Sequence, residues 1–238
     1  MTTPDSTRAR SATRLLRDMI LRGELAPGAP LREVVWADRL NVSRNTLREA
    51  MRDLLALGLI DHRPHHGASV RQLSEADIGE IYAIRQTLEL RGVTCSAYAT
   101  AMQMQGLIDG AEALRRAAEA EDWQQTGTVS LDLHRQIVGF IGSPRLDELF
   151  LTTAAQARLV FALAGDTRRF QQPWVARDLA ICAMLCDGNR DGAAQALELY
   201  LQESERSVRE AARARLLTRP QGLFPPPPPA ATAQDPVP

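Results

Sequence analysis

Arg44, Asn45, Thr46, Arg48 and Arg52 share one face of a segment whose other face, Leu47, Ala50, Met51, Leu54 and Leu55, is apolar at helical spacing. Guanidinium forks and a side-chain amide, presented from the first turns of a helix, can grip phosphate oxygens and read base edges in a DNA major groove. Any solvated helix can show an arginine-rich face, so the surrounding elements must decide between the two readings. Ser43 stands where a helix N-cap belongs, and Asn41 suits a left-handed residue closing the helix before it. Residues 8–22 place Ala12, Leu15, Leu16, Met19 and Ile20 on one face of a first helix that stops at Gly23. After a Pro/Gly turn, residues 31–40 form a second short helix carrying Val34, Val35, Ala37 and Leu40.

Beyond Gly58, residues 59–62 and 68–71 read as two short strands around a turn containing His65, His66 and Gly67. Three helices and then a hairpin is the order of a winged helix-turn-helix. The charge agrees: residues 1–73 hold 12 Arg against 8 acidic residues, whereas residues 74–238 hold 16 against 21. A basic first third beside an acidic remainder suits a module that meets a polyanion, joined to one that does not.

Ser74, followed by Glu75 and Asp77, marks the N-cap and acidic first turn of a new helix, so the first domain covers residues 8–73 after an unstructured stretch 1–7. Residues 75–217 contain no strand pattern and predict an all-helical bundle, with helices over about 75–103, 107–120, 122–141, 144–165, 171–188 and 190–217. Breaks fall at Gly106, Asp122, 142–144, 165–166 and 187–189. This second domain, 74–219, gives way to a Pro-rich tail, 220–238, with little to bury. The fold class is mainly α.

Several chemistries find no support. No run of about 18 apolar residues exists, and the first residues lack the apolar core of a signal peptide, so a cytoplasmic protein that does not engage a membrane is expected. Three cysteines, Cys95, Cys182 and Cys186, form neither a disulfide framework nor a zinc spacing; Cys182 and Cys186, four apart, read as small buried residues. Phosphate loops, nucleophile elbows, HExxH and paired catalytic carboxylates are missing, so an enzyme is not expected. All 28 basic residues are Arg.

Leu-Ala-Pro-Gly-Ala-Pro-Leu-Arg-Glu at 25–33, Leu-Asn-Val-Ser-Arg-Asn-Thr-Leu-Arg-Glu-Ala at 40–50, Leu-Leu-Ala-Leu-Gly-Leu-Ile at 54–60 and Gly-Ala-Ser-Val at 67–70 resemble the GntR-family DNA-binding domain. Asn41 replaces the usual Gly, Trp36 the usual Leu, and Asn45-Thr46 a frequent Thr-Pro. The resemblance implies that Arg44, Asn45, Thr46 and Arg48 touch double-stranded operator DNA, with His66 and Gly67 at the tip of the wing. Asn45 is the candidate for sequence choice, because an amide can pair bidentately with adenine.

Residues 81–89, 133–146 and 183–194 resemble, more loosely, the FCD effector domain of the FadR subgroup. Many members of that group hold a divalent metal with an Asp, a His four residues later and two further His, and the metal helps to hold a carboxylate effector. Here His134 keeps its place, but the Asp position is Ser130 and the other two fall on Arg177 and Tyr200. Asp132, two residues before His134, points to the other side of the helix. A guanidinium among the ligands would repel a cation, so neither a metal nor any other cofactor is expected. Arg177 would instead pair with the effector carboxylate, with Ser130, His134 and Tyr200 supplying hydrogen bonds. Arg85 either adds a second positive group or pairs with Glu89 four residues on. His134 as a satisfied core histidine, and a pocket filled by its own side chains, stay open.

The resemblance thus implies a DNA-binding transcriptional regulator: a homodimeric repressor released by a small organic acid, or alternatively an activator or an effector-independent regulator. Dimerisation is expected because one recognition helix reads only a few base pairs. An enzyme or a pure ligand-binding bundle with an incidental basic N-terminus is the rival from another class.

Overall fold

The computed structural model describes residues 4–63, 67–162 and 167–218. His66 and the Pro-rich tail at 220–238 lie outside them. In chain order, α1 spans Pro4–Leu21, β1 Pro30–Leu31, α2 Glu33–Arg39, α3 Arg44–Ala56, β2 Ile60–Arg63 and β3 Gly67–Val70. The helical part follows as α4 Glu75–Cys95, α5 Ala101–Glu119, α6 Trp123–Gly139, α7 Pro144–Phe161, α8 Thr167–Cys186 and α9 Arg190–Thr218.

The first six elements make a winged helix-turn-helix. Leu16, Ile20, Leu47, Leu54 and Leu59 are wholly buried at its centre. Its sheet has three strands, in the order β1-β3-β2 and all antiparallel. The sequence reading places Leu31 in the second helix; instead Leu31 pairs with Ala68, because Pro30 and Arg32 hold the backbone extended and the ladder satisfies it. Helix α2 therefore starts at Glu33 and turns Trp36 and Ala37 inward, leaving Val34 and Val35 exposed, as Leu15 and Leu55 also are. Asn41 adopts the left-handed conformation, φ 51°. Helix α1 begins at Pro4 rather than Arg8: Pro fits a first turn that needs no N–H partner, and Ala9 extends the buried stripe backward.

Ser74 opens α4 with a reciprocal capping box, donating its N–H to Asp77 at 2.7 Å and accepting the Asp77 N–H at 3.3 Å. The expected break at Gly106 falls earlier. A 3-10 turn at Ser96–Tyr98 ends α4, and Thr100 with Gln103 forms a second capping box that starts α5. Gly106 sits inside α5. Helix α8 starts at Thr167, before the expected residue 171, and carries Pro173 in its interior. Among the described residues no helix is long and apolar enough to cross a membrane.

Helix α7 joins the two halves. Ala154, Ala157 and Val160 belong to the helical core, whereas Ala155 and Leu159 pack into the core of the winged domain. Gln156 Nε2 donates to the Leu57 carbonyl at the end of α3, 2.9 Å away, and Gln124 Nε2 to the Arg22 carbonyl just beyond α1, also 2.9 Å. Those carbonyls have no partner within their own helices, so the helical domain satisfies them. Arg17 and Glu148 add an ion pair across the same boundary.

Leu159→Ala should destabilise the protein by about 2–5 kcal/mol, the usual cost of truncating a buried leucine, read by urea denaturation.

Candidate functional site

The N-terminal end of α3 is built by its cap. Ser43 Oγ accepts the Thr46 N–H at 3.0 Å and lies 2.7 Å from the Thr46 hydroxyl. Thr46 is only 1% exposed, on the same side as Leu47 and Ala50. It thus stabilises the helix start and does not stand on the outer face with the other candidates, a correction to the sequence reading. Arg44, Asn45, Arg48 and Arg52 are exposed there together. Arg48 Nε donates to Glu33 of α2 at 2.8 Å, and both side chains are well exposed. Such a pair is weak enough for a phosphate to displace. Gly67, the first residue of β3, adopts φ +75°, and among the described residues nothing lies within 4 Å of the place a Cβ would take.

A second cluster lies inside the helical domain. The inward stripe of α4 runs through Ile78, Ile81, Tyr82, Arg85, Leu88, Glu89 and Gly92. At Gly92 the helix meets α6 so closely that a Cβ would sit 2.2 Å from the Ile137 carbonyl oxygen. One turn earlier on both helices, that approach brings Glu89 to His134, whose Nδ1 hydrogen-bonds Glu89 Oε2. Arg85 Nε donates to the other Glu89 oxygen at 2.8 Å, and Arg85 is 1% exposed. Of the two readings of Arg85, the ion pair with Glu89 is the one present, and it lies in the core.

From α8, Asp178 enters the cluster, accepting the Ser130 hydroxyl at 2.7 Å and lying 3.4 Å from His134 Nε2. Tyr200 of α9 packs its ring against His134 and Trp174, with centroids 5.0 and 4.9 Å apart. Two carboxylates thus face two cationic groups, as burial of charge requires. Burial works against a charged His134, but the Glu89 carboxylate with its hydrogen bond, and the Asp178 carboxylate 3.4 Å away, outweigh it and raise the imidazole to about 9. Burial likewise opposes the Glu89 charge, and Arg85 and His134 overcome it, holding Glu89 below the usual carboxylate range. Burial and Asp178 push the Tyr200 hydroxyl well above its ordinary value, keeping it neutral. Arg85 Nη1 and Nη2, His134 Nε2 and Asp178 Oδ1 have no hydrogen-bond partner among the described residues.

Arg177 is not in this cluster. Its guanidinium lies over the Trp174 ring, 5.2 Å from the centroid, and pairs with Glu203 at the surface. Ser130, His134, Tyr200 and Arg85 come together, and the residue sequence reasoning missed is Asp178. The buried stripe of α8 through Phe170, Gln171, Trp174, Ile181, Cys182 and Leu185 has Asp178 near its centre, while Arg177 lies about 100° to one side, one residue's rotation. That periodicity was the available signal. Cys182 is buried and its thiol pushed up to about 12, chiefly by burial.

The divalent metal that the family resemblance brings to mind does not fit these residues. His134 is held protonated between two carboxylates, and the buried Arg85 guanidinium adds positive charge where a cation would sit. Among the described residues, no three His, Cys, Asp or Glu side chains are placed to hold a metal ion.

Residues 8–70 match the bacterial regulatory proteins of the gntR family, and residues 80–203 match the FCD domain. The chain is 36% identical over 147 residues to a probable D-xylose utilization operon transcriptional repressor of Paenarthrobacter nicotinovorans, covering 62% of this chain and 65% of that protein. It is 28% identical over 220 residues to the HTH-type transcriptional repressor RspR of Escherichia coli K12, covering 83% and 87%. The crystal structure of a putative transcriptional regulator GntR from Rhodococcus sp. RHA1 superposes with a TM-score of 0.78 at 32% identity, covering 85% of this chain and 97% of that one. E. coli McbR/YncC shares the fold, with a TM-score of 0.75 at 20% identity over 88% and 99%.

Because the folded imidazole titrates near 9 and the unfolded one near 6.5, the stabilisation from His134 is complete below about 6.5 and lost as pH rises toward 9. Thermal melts should therefore show the melting temperature falling between those values, with the fall flattened in His134→Gln. Gly92→Val should push α4 off α6, lower the melting temperature sharply and weaken the same pH dependence.

Proposed function

The chain belongs to the gntR family of bacterial regulatory proteins, with an FCD domain following its winged helix-turn-helix, and from that premise we propose a homodimeric cytoplasmic repressor released from its operator by a small organic acid. The observation that carries the DNA-binding reading is the outer face of α3: Arg44, Asn45 and Arg48 exposed on a helix fixed by the Ser43 cap. In this reading α3 enters the major groove. Arg44 and Arg48 neutralise phosphates or read guanine, with Glu33 giving up Arg48 on binding, and Asn45 reads adenine. Gly67 and His66, the latter outside the described residues, approach the neighbouring backbone. Thr46 acts through the helix start. Two copies supply two half-sites, which one helix cannot cover alone.

The effector reading rests on Arg85 in place of Arg177. The two Nη groups of Arg85 can pair bidentately with a carboxylate, and Asp178 Oδ1 offers an acceptor for a hydroxyl, so a small hydroxy acid suits the cluster. Ser130, His134 and Tyr200 complete its walls. Helix α4 carries Arg85 and Glu89 and begins at the domain boundary, where Arg71 donates to Asp77 at 2.7 Å. A ligand that prefers one setting of α4 therefore shifts the placement of the winged domain. An effector-independent regulator is the second reading, favoured by one fact: Arg85, Glu89, His134 and Asp178 already balance one another's charge.

Arg44→Ala and Arg48→Ala should each weaken binding to a duplex selected from a random-sequence library, by at least about tenfold together; unchanged affinity would remove α3 as the reading helix. Asn45→Ala should abolish preference for one A·T pair, a loss of about 1–3 kcal/mol in discrimination. Arg85→Met should keep duplex binding and lose release by hydroxy acids; release that survives would exclude Arg85 as the anchor, and no release by any acid in the wild type would favour the second reading.

A further inference from the structure

Where the two domains meet lies a cavity of about 180 Å³, the liquid share of roughly six waters. Its walls are apolar on the winged side, with Ile20, Leu25 and Pro27, and Leu159 and Phe170 face them from the helical side. One end is polar and positive. Arg158 is 7% exposed, and no carboxylate among the described residues pairs with it. Burial lowers its affinity for the proton, with no anion among the described residues to offset this, yet a guanidinium stays charged. Among the described residues its one hydrogen bond runs from Nη2 to the Gln124 carbonyl at 3.3 Å, and Nε has no partner. Beside it, Gln171 is 3% exposed, and its Nε2 also lacks a partner.

Two glycines, one from each domain, make room for this end. A Cβ on Gly23 would lie 2.8 Å from Arg158 Nη2, and one on Gly127 would lie 2.7 Å from Nη1 and 2.6 Å from Gln171 Nε2. The unpaired atoms here are all donors, in contrast to the mixed donors and acceptor around His134. An uncompensated buried cation and an amide donor facing apolar walls call for a ligand with an acceptor-only anionic head and a short hydrocarbon body. A phosphate dianion would leave charge uncompensated against a single guanidinium.

We propose that this interdomain cavity binds a short aliphatic carboxylate on Arg158 and Gln171, as a second ligand site separate from the His134 cluster. The head group spans the two donors and the alkyl chain lies against Ile20, Leu25 and Leu159. Because Gln124 accepts from Arg158 and donates to Arg22, the ligand sits on the same chain of contacts that holds the end of α1 to the helical domain. Its effect on DNA rests on the regulator reading above; its binding does not.

Butyrate is the probe, titrated into the full-length protein by calorimetry. Saturable binding of one butyrate per chain is expected, weakened at least tenfold in Arg158→Met, several-fold in the near-isosteric Gln171→Leu, and unchanged in Arg177→Ala, a surface position outside both clusters. Gln171→Leu decides the matter if Arg158→Met does not fold. Absence of saturable binding up to about 10 mM, the weak end of specific affinity, overturns the proposal. So does undiminished binding in Arg158→Met or Gln171→Leu, which would move the carboxylate to another site, the His134 cluster included. A selected duplex titrated in parallel separates the two ideas. Duplex binding without butyrate binding refutes this site alone, and butyrate binding without duplex binding refutes the regulator reading alone.

Discussion

Helix α7 is buried on two faces by two different cores, and the arrangement of the molecule depends on that double burial. Ala154, Ala157 and Val160 are held by the helical bundle, and Ala155 and Leu159 by the winged domain. Small residues dominate both faces, which lets other helices approach from either side. A helix shared in this way cannot shift in one domain without repacking in the other, because close-packed interiors transmit displacement instead of absorbing it. The polar contacts at Leu57 and Arg22 then fix where the winged domain sits around that shared helix.

Within the bundle, Gly92 has the corresponding role for charge. The close approach of α4 to α6 brings Glu89 between Arg85 and His134, and Asp178 closes the group from α8. Removing any one member would leave a buried charge without its partner, which costs far more than the pair contributes. The cluster is therefore costly to alter piecemeal, and its surplus donors and acceptor are what make it a candidate for recognition and not only for stability.

Much of the winged domain is legible in the sequence because its signals are local. The Ser43 cap, the left-handed Asn41, the apolar spacing of α3 and the turn at Gly67 each involve neighbours within four residues. The two-residue strand β1 is not legible, since it exists only through pairing with Ala68 and Ser69, far along the chain. In the helical domain the Thr100 and Gln103 capping box marks the start of α5, and Gly106 lies inside the helix, where a single glycine costs only about 1 kcal/mol. The candidate site was half legible. Matching positions to the family ligand set points to Ser130, His134 and Tyr200 but also to Arg177, whereas the buried period of α8 leads to Asp178. Glu89 was visible as a partner for Arg85, yet its bond to His134 depends on helix packing that no spacing within α4 records.

The way α3 is held has a mechanical consequence. Its far end is fastened to α7 through the Leu57 carbonyl, and its N-terminal end carries the exposed Arg44 and Asn45. At 1.5 Å per residue, its 13 residues make a lever about 20 Å long. A tilt of about 5° at the fastened end moves the tip by roughly 1.7 Å, more than the tolerance of a hydrogen bond to a base edge. In the proposed reading, a rotation of that size by the winged domain as one body about the fastening carries the tip out of reach of a base edge, without repacking inside either domain.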